Sequence, residues 1–156
     1  MKTVIIEPFK VIGISVKTTN ENGQAAQEIA KMWQRFMSEN IFEKIPNKAD
    51  GVVYSLYTDY EGDHTQPYTA ILGCKVKNLN SIPDGMVGRS FVGGNYIKTS
   101  EKGDLTKGLV VKHWSRIFEM KWDRNYVADF EVFGEKAQDP FDAEVDFYVG
   151  VMDKNE

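Results

Sequence analysis

The sequence predicts an α+β fold: duplicated βαββ units forming one antiparallel sheet, with two helices on one face and a central groove between them. Two observations carry that reading. The hydropathy pattern runs strand, helix, strand, strand, and then repeats that order. A single offset of 81 residues also pairs Gly13 with Gly94, Val16 with Ile97, Lys17 with Lys98, Ile29 with Val110, Trp33 with Trp114 and Arg35 with Arg116. One offset that holds over both a strand and a helix indicates an internal duplication. Slightly smaller offsets bring Tyr54-Ser55-Leu56-Tyr57 onto Phe130-Glu131-Val132-Phe133. Residues 1–156 are read as one domain, with repeats over about 1–77 and 86–156.

The elements follow in order. Val4 to Val16 is rich in Val and Ile and reads as a strand, kinked or bulged at Pro8 and Gly13. Thr18-Thr19-Asn20 offers oxygens that cap a helix. Ala25, Ala26, Ile29, Met32, Trp33 and Phe36 recur at spacings of three and four, the mark of an amphipathic helix that Ile45-Pro46-Asn47 ends. Val52 to Tyr57 is a strand, Asp59 to Pro67 a hairpin loop, and Tyr68 to Val76 the return strand. Asn78 to Gly88 connects the halves through a Pro83-Asp84-Gly85 turn. Ser90 to Lys98 reads as a strand interrupted by a bulge at Gly93-Gly94. Leu105 to Phe118 is a second amphipathic helix, Tyr126 to Phe133 a strand, Gly134 to Asp142 a loop and Glu144 to Met152 a last strand.

Composition narrows the function classes. A chain of 156 residues buries roughly 70% of its unfolded surface. Hydrophobic content of 42% with 27% charged residues excludes collagenous and wholly disordered chains. The net charge of −4 argues against a dedicated nucleic-acid binder and leaves a cation site open. Cys74 is the sole cysteine, which excludes an intrachain disulfide and a thiolate zinc site. The first residues lack an apolar signal region, and no apolar run is long enough to span a membrane. A cytoplasmic protein without membrane contact is therefore expected.

Glu131 is the foremost candidate for chemistry. Strand alternation puts Asp129, Glu131 and Phe133 on one face and Phe130 and Val132 on the other. The matching position in the first half is Ser55. If that face looks into the groove, Glu131 is a single negative charge among aromatics, with its pKa raised until a cation arrives. Such a site favours apolar cations, each aromatic wall adding about 0.5–2 kcal/mol of cation–π attraction. Trp33 and Trp114, at matching positions of the helices, are candidate walls. Tyr57, Phe133 and Tyr148 on the strands are placed to stack on a planar ligand, and Phe36 and Phe118 complete the set. Taken singly, each of these residues also fits an ordinary core position or strand face.

Other chemistries find little support. The sequence Asp59-Tyr60-Glu61-Gly62-Asp63-His64 resembles the start of a calcium loop, but its twelfth position is Ala70 rather than a bidentate Glu. There is no HExxH, CxxC, GxSxG or phosphate-binding glycine loop. His113 lies in a helix with no nucleophile near it in sequence. No metal or cofactor is expected.

Several segments, in this order and spacing, resemble the GyrI-like small-molecule-binding domain, also called the bacterial transcription activator effector-binding domain. They are Lys31-Met32-Trp33-Gln34-Arg35-Phe36, Ile45-Pro46-Asn47, Tyr68-Thr69-Ala70, Phe91-Val92-Gly93-Gly94-Asn95-Tyr96, Phe130-Glu131-Val132-Phe133 and Asp146-Phe147-Tyr148-Val149-Gly150-Val151. The resemblance covers nearly the whole chain. It implies a duplicated βαββ fold whose aromatic pocket holds an acidic residue that meets cationic, lipophilic compounds, and Glu131 falls on that position. Some members are fused to a DNA-binding helix-turn-helix. There is no room for one here, so direct DNA binding is not expected. Stand-alone members are linked to drug sequestration, to gyrase inhibition and to hydrolysis of cyclopropane-bearing toxins. Two departures stand out. Phe133 replaces a tyrosine usual in the family, which weakens a hydrolase reading unless another tyrosine substitutes. Asp146 and Gly150 stand where Glu and Pro are usual. The expectation is therefore non-catalytic binding of amphipathic cations or planar aromatics. The alternatives are a hydrolase with Glu131 as base, and an interaction module such as a gyrase inhibitor, with a protein partner or homodimer left open.

Overall fold

The computed structural model describes residues 2–153. Pro8 has no N–H to give a ladder, and the first strand breaks there into β1 (Lys2–Ile6) and β2 (Phe9–Thr18). The second half breaks in the same way, at Val92-Gly93, into β5 (Val87–Phe91) and β6 (Gly94–Gly103). The double glycine is thus a full break and not a bulge. Gly93 has φ 77°, and a Cβ there would sit 2.2 Å from the carbonyl oxygen of Ile6, so only glycine fits. β1 pairs with β6 through Ile6 and Gly94, and β2 pairs with β5 through Phe9 and Phe91, in one unbroken antiparallel register across both bends. The two bent strands therefore run together from one side of the sheet to the other.

The remaining strands are β3 (Val53–Thr58), β4 (Tyr68–Val76), β7 (Arg124–Phe133) and β8 (Ala143–Val151). All pairings are antiparallel, in the order β1-β6-β8-β7-β3-β4-β2-β5. The expected α+β layering, one antiparallel sheet with helices against it, is what the molecule has. α1 (Gln24–Ser38) follows β2, and α3 (Leu109–Glu119) follows β6, giving strand, helix, strand, strand in each half. A short helix that the sequence did not suggest, α2 (Ile41–Lys44), sits between α1 and β3. α3 begins at Leu109 rather than Leu105. Asp104 caps a separate 3-10 turn over Leu105–Lys107, accepting the Thr106 N–H at 2.9 Å, and Gly108 at φ 76° then redirects the chain.

Alternation along the strands divides the apolar side chains between two faces. Ile12, Ile14 and Leu72 pack under Met32 and Phe36 of α1. Val145, Phe147 and Val149 pack under Leu109 and Ile117 of α3. On the other face Phe9, Val11, Leu56, Ile71 and Phe130 form a third cluster, enclosed by the bent strands. Each such side chain, removed from water, contributes about 1.5–3 kcal/mol. Because α1 and α3 each cover their own half, the middle strands β3 and β7 lie between them as the floor of a groove. Among the described residues, no helix is long and apolar enough to cross a membrane.

Candidate functional site

The groove is a cavity of about 1090 Å³. Its floor carries Tyr57, Glu131 and Phe133, and Trp33 and Ile29 of α1 face Trp114 and Val110 of α3 across it. The tryptophan contacts repeat the duplication. The Trp33 ring meets Phe133 edge-on at 4.9 Å, and the Trp114 ring meets Tyr57 edge-on at 5.6 Å. Tyr57 and Phe133 are themselves matching positions. Each helix thus reaches across to the strand aromatic of the other half, and the two halves build one set of walls.

Glu131 sits at the centre of this floor, opposite Ser55 in the β3–β7 ladder. Its Oε1 accepts the Tyr57 hydroxyl at 2.9 Å, and its Oε2 accepts the Trp114 indole N–H at 3.2 Å. The single Tyr57 proton is committed to Glu131, so Ser55, 3.0 Å from the Tyr57 oxygen, donates to it. Only 2% of Glu131 is exposed. That burial pushes its carboxyl up to about 8, against the opposing pull of the Tyr57 and Trp114 hydrogen bonds. Burial, followed by the neighbouring Glu131, also holds Tyr57 well above the ordinary phenol value, so it remains a donor. Phe133 has no hydroxyl to offer, and the phenol that reaches Glu131 is Tyr57 of the adjacent strand.

The structure gathers Glu131, Trp33, Trp114, Tyr57, Phe133 and Phe118 along the cavity. Phe118 stacks on His64 at 4.1 Å, near one end. Two expected lining residues are elsewhere. Phe36 is buried beneath α1, because it lies on the side of the helix that faces Ile12 and Leu72 rather than on the rim that bears Trp33. Tyr148 points to the opposite face of the sheet. In β8, Val145, Phe147 and Val149 take the helix side, so alternation sends Tyr148 the other way, stacked on Phe130 at 4.8 Å.

The sequence reading missed a polar cluster at the same end of the cavity. The Arg124 side chain is 5% exposed, and its Nη2 donates to Asp129 Oδ2 at 2.7 Å. The Tyr60 hydroxyl donates to that oxygen at 2.5 Å, and the Gly150 N–H donates to Asp129 Oδ1 at 2.8 Å. A proline at position 150, as in the family pattern, has no N–H to give. Arg124, Tyr60 and His64 all line the cavity. Burial, and then the nearby Arg124 charge, lower the His64 pKa.

Residues 3–151 match the Cass2 family, described as integron-associated effector binding protein, and the chain belongs to that family. The integron cassette protein VCH_CASS2 of Vibrio cholerae is 25% identical with a TM-score of 0.74, over 97% of this chain and 95% of that one. SAV2435, solved bound to tetraphenylphosphonium, is 16% identical with a TM-score of 0.74, over 97% of this chain and 93% of that one. A putative transcription regulation protein from Staphylococcus aureus MU50 is 14% identical with a TM-score of 0.71, over 97% of both chains. The fold is therefore the GyrI-like one that the sequence resembles. No curated protein matches the chain.

Proposed function

We propose that this member of the effector-binding family takes up amphipathic, cationic or planar aromatic small molecules between α1 and α3, with Glu131 as their counter-charge. One observation carries the reading. A carboxyl group is buried at the centre of an aromatic cavity, and among the described residues no lysine or arginine forms an ion pair with it. An ionised carboxylate there is costly until an opposite charge arrives beside it. A lipophilic cation supplies that charge, carries little hydration to lose, and is surrounded by the aromatic walls Trp33, Trp114 and Phe133. Tyr57 and Trp114 hold the carboxyl in place by two hydrogen bonds, so the site is organised before the ligand enters. Tetraphenylphosphonium on SAV2435, a protein of the same fold, is a ligand of this chemical type.

The test is calorimetric titration of wild type and Glu131→Gln with tetraphenylphosphonium and with neutral triphenylphosphine. The expected result is a large loss of phosphonium affinity in the variant with the phosphine little changed. Equal losses for both, or no phosphonium binding by wild type, would overturn the reading.

A further inference from the structure

Three polar atoms at one end of the cavity have no hydrogen-bond partner although solvent does not reach them: Arg124 Nε, Arg124 Nη1 and His64 Nδ1. Buried donors left unpaired are costly, and a guanidinium is the costliest kind. Arg124 uses only Nη2 on Asp129, and the rings of Tyr126 and Phe118 flank its guanidinium at 4.4 and 6.0 Å. Both Arg124 and His64 line the cavity whose centre holds Glu131. We infer that this end of the cavity is a second polar subsite, in which a free N–H group of Arg124 donates to a neutral oxygen acceptor, such as a ketone, ester or amide carbonyl, on the bound ligand.

The charges select a neutral acceptor. Asp129 already balances Arg124, so an anion would enter with uncompensated charge in the same cavity as Glu131. A carbonyl oxygen brings no charge and accepts from one of the two free donors, since Nε–H and Nη1–H point to different sides of the planar guanidinium. His64 lies beside them, its ring stacked on the same Phe118 that flanks the guanidinium. Among the described residues that side chain makes no polar bond and is held by its stack on Phe118, so its displacement costs one ring contact. The preferred ligand then has two features: a cationic or aromatic body over Glu131 and a carbonyl at the Arg124 end. This inference rests on the cavity being the ligand site proposed above.

Two matched probe pairs test it separately from the Glu131 reading. One pair is (4-benzoylbenzyl)trimethylammonium and (4-benzylbenzyl)trimethylammonium, which differ only by a carbonyl in place of a methylene. The other is benzophenone and diphenylmethane, with the same difference and no charge. Wild type should bind each ketone about tenfold more tightly than its methylene partner, the gain for a hydrogen bond to a charged donor. The infrared carbonyl stretch of bound benzophenone should move to lower frequency. Arg124→Lys keeps a cation for Asp129 but loses the free donors, and it should level both pairs. Equal affinities within both pairs on wild type, or an unshifted carbonyl band, would overturn the subsite whether or not the variant folds. A ketone preference confined to the neutral pair, with neither ammonium bound, would uphold the subsite and remove the cation reading. Failure of all four probes to bind would remove both.

Discussion

Ser55 and Glu131 face each other across the β3–β7 ladder, and they are also matching positions of the two halves of the chain. The line relating the halves therefore passes between a hydroxyl and a carboxyl. The cavity walls are nearly symmetric, Trp33 on Phe133 and Trp114 on Tyr57, while the charge is not. A cavity with two carboxyls at these positions would set like charges directly opposite each other, a destabilising arrangement. One carboxyl and one small donor avoid that.

The pH dependence of ligand-free stability follows from Glu131. Its carboxyl ionises near the ordinary value of 4.5 in the unfolded chain and near 8 in the folded one. Below the lower value both states are protonated, and the group contributes no difference. Between the two the unfolded state alone ionises, so stability falls as pH rises, and it levels off above the folded value. The loss sums to several kcal/mol, at about 1.4 kcal/mol per pH unit. Glu131→Gln removes this component. Subtracting the variant's melting curve from that of wild type across pH 4–9 should isolate it. A difference that is flat, or that favours wild type at high pH, would contradict the assigned burial.

Cation affinity should run the opposite way. A bound cation favours the ionised carboxylate, so binding below pH 8 expels a proton. Affinity for tetraphenylphosphonium should rise by about tenfold per pH unit up to that value and then flatten. Titration calorimetry in buffers of differing ionisation enthalpy counts the protons released. The count should approach one at pH 7 and zero at pH 9.

Tyr57→Phe removes one of the two hydrogen bonds that hold the Glu131 carboxyl down. A bond to a charged acceptor is worth about 1.5–3 kcal/mol, or roughly one to two pH units. The pH at which cation affinity levels off should therefore move upward by that amount. An unmoved profile would mean that the Tyr57 bond does not tune the carboxyl, leaving burial and the Trp114 bond to set it.

Much of this architecture was legible in the sequence. The offset between Trp33 and Trp114 and the alternation around Glu131 located the groove, its floor and its central acid, because helix and strand periods fix which side a residue takes. The same rule applied to β8 would have turned Tyr148 away, since Val145, Phe147 and Val149 are the apolar set that must meet α3. Phe36 was beyond that rule, because a wide apolar helix face does not say which of its residues meets the sheet and which meets the rim. Arg124 was illegible for a different reason. An arginine and an aspartate five positions apart lie on opposite faces of a regular strand. They meet here because the β7–β8 register slips between Arg124 and Asp129, where Tyr126 takes φ 54°. Nothing in the local sequence announces that irregularity.

The Arg124–Asp129 pair gives the last prediction. Asp129 is fully buried and receives three donors, from Arg124, Tyr60 and the Gly150 N–H. Removing one member of a buried pair leaves the other's charge unpaired and costs about 3–5 kcal/mol. For a chain of this size that lowers Tm by roughly 6–20 °C. Asp129→Ala should show this loss in a thermal melt. The double variant Arg124→Met/Asp129→Leu removes both charges, fills the space with apolar atoms and should regain most of it. If the double variant melts as low as Asp129→Ala, the loss comes from the Tyr60 and Gly150 bonds to the carboxylate rather than from the stranded arginine. In that case Asp129 serves to anchor the hairpin loop and β8 beside the cavity, and the ion pair is secondary to it.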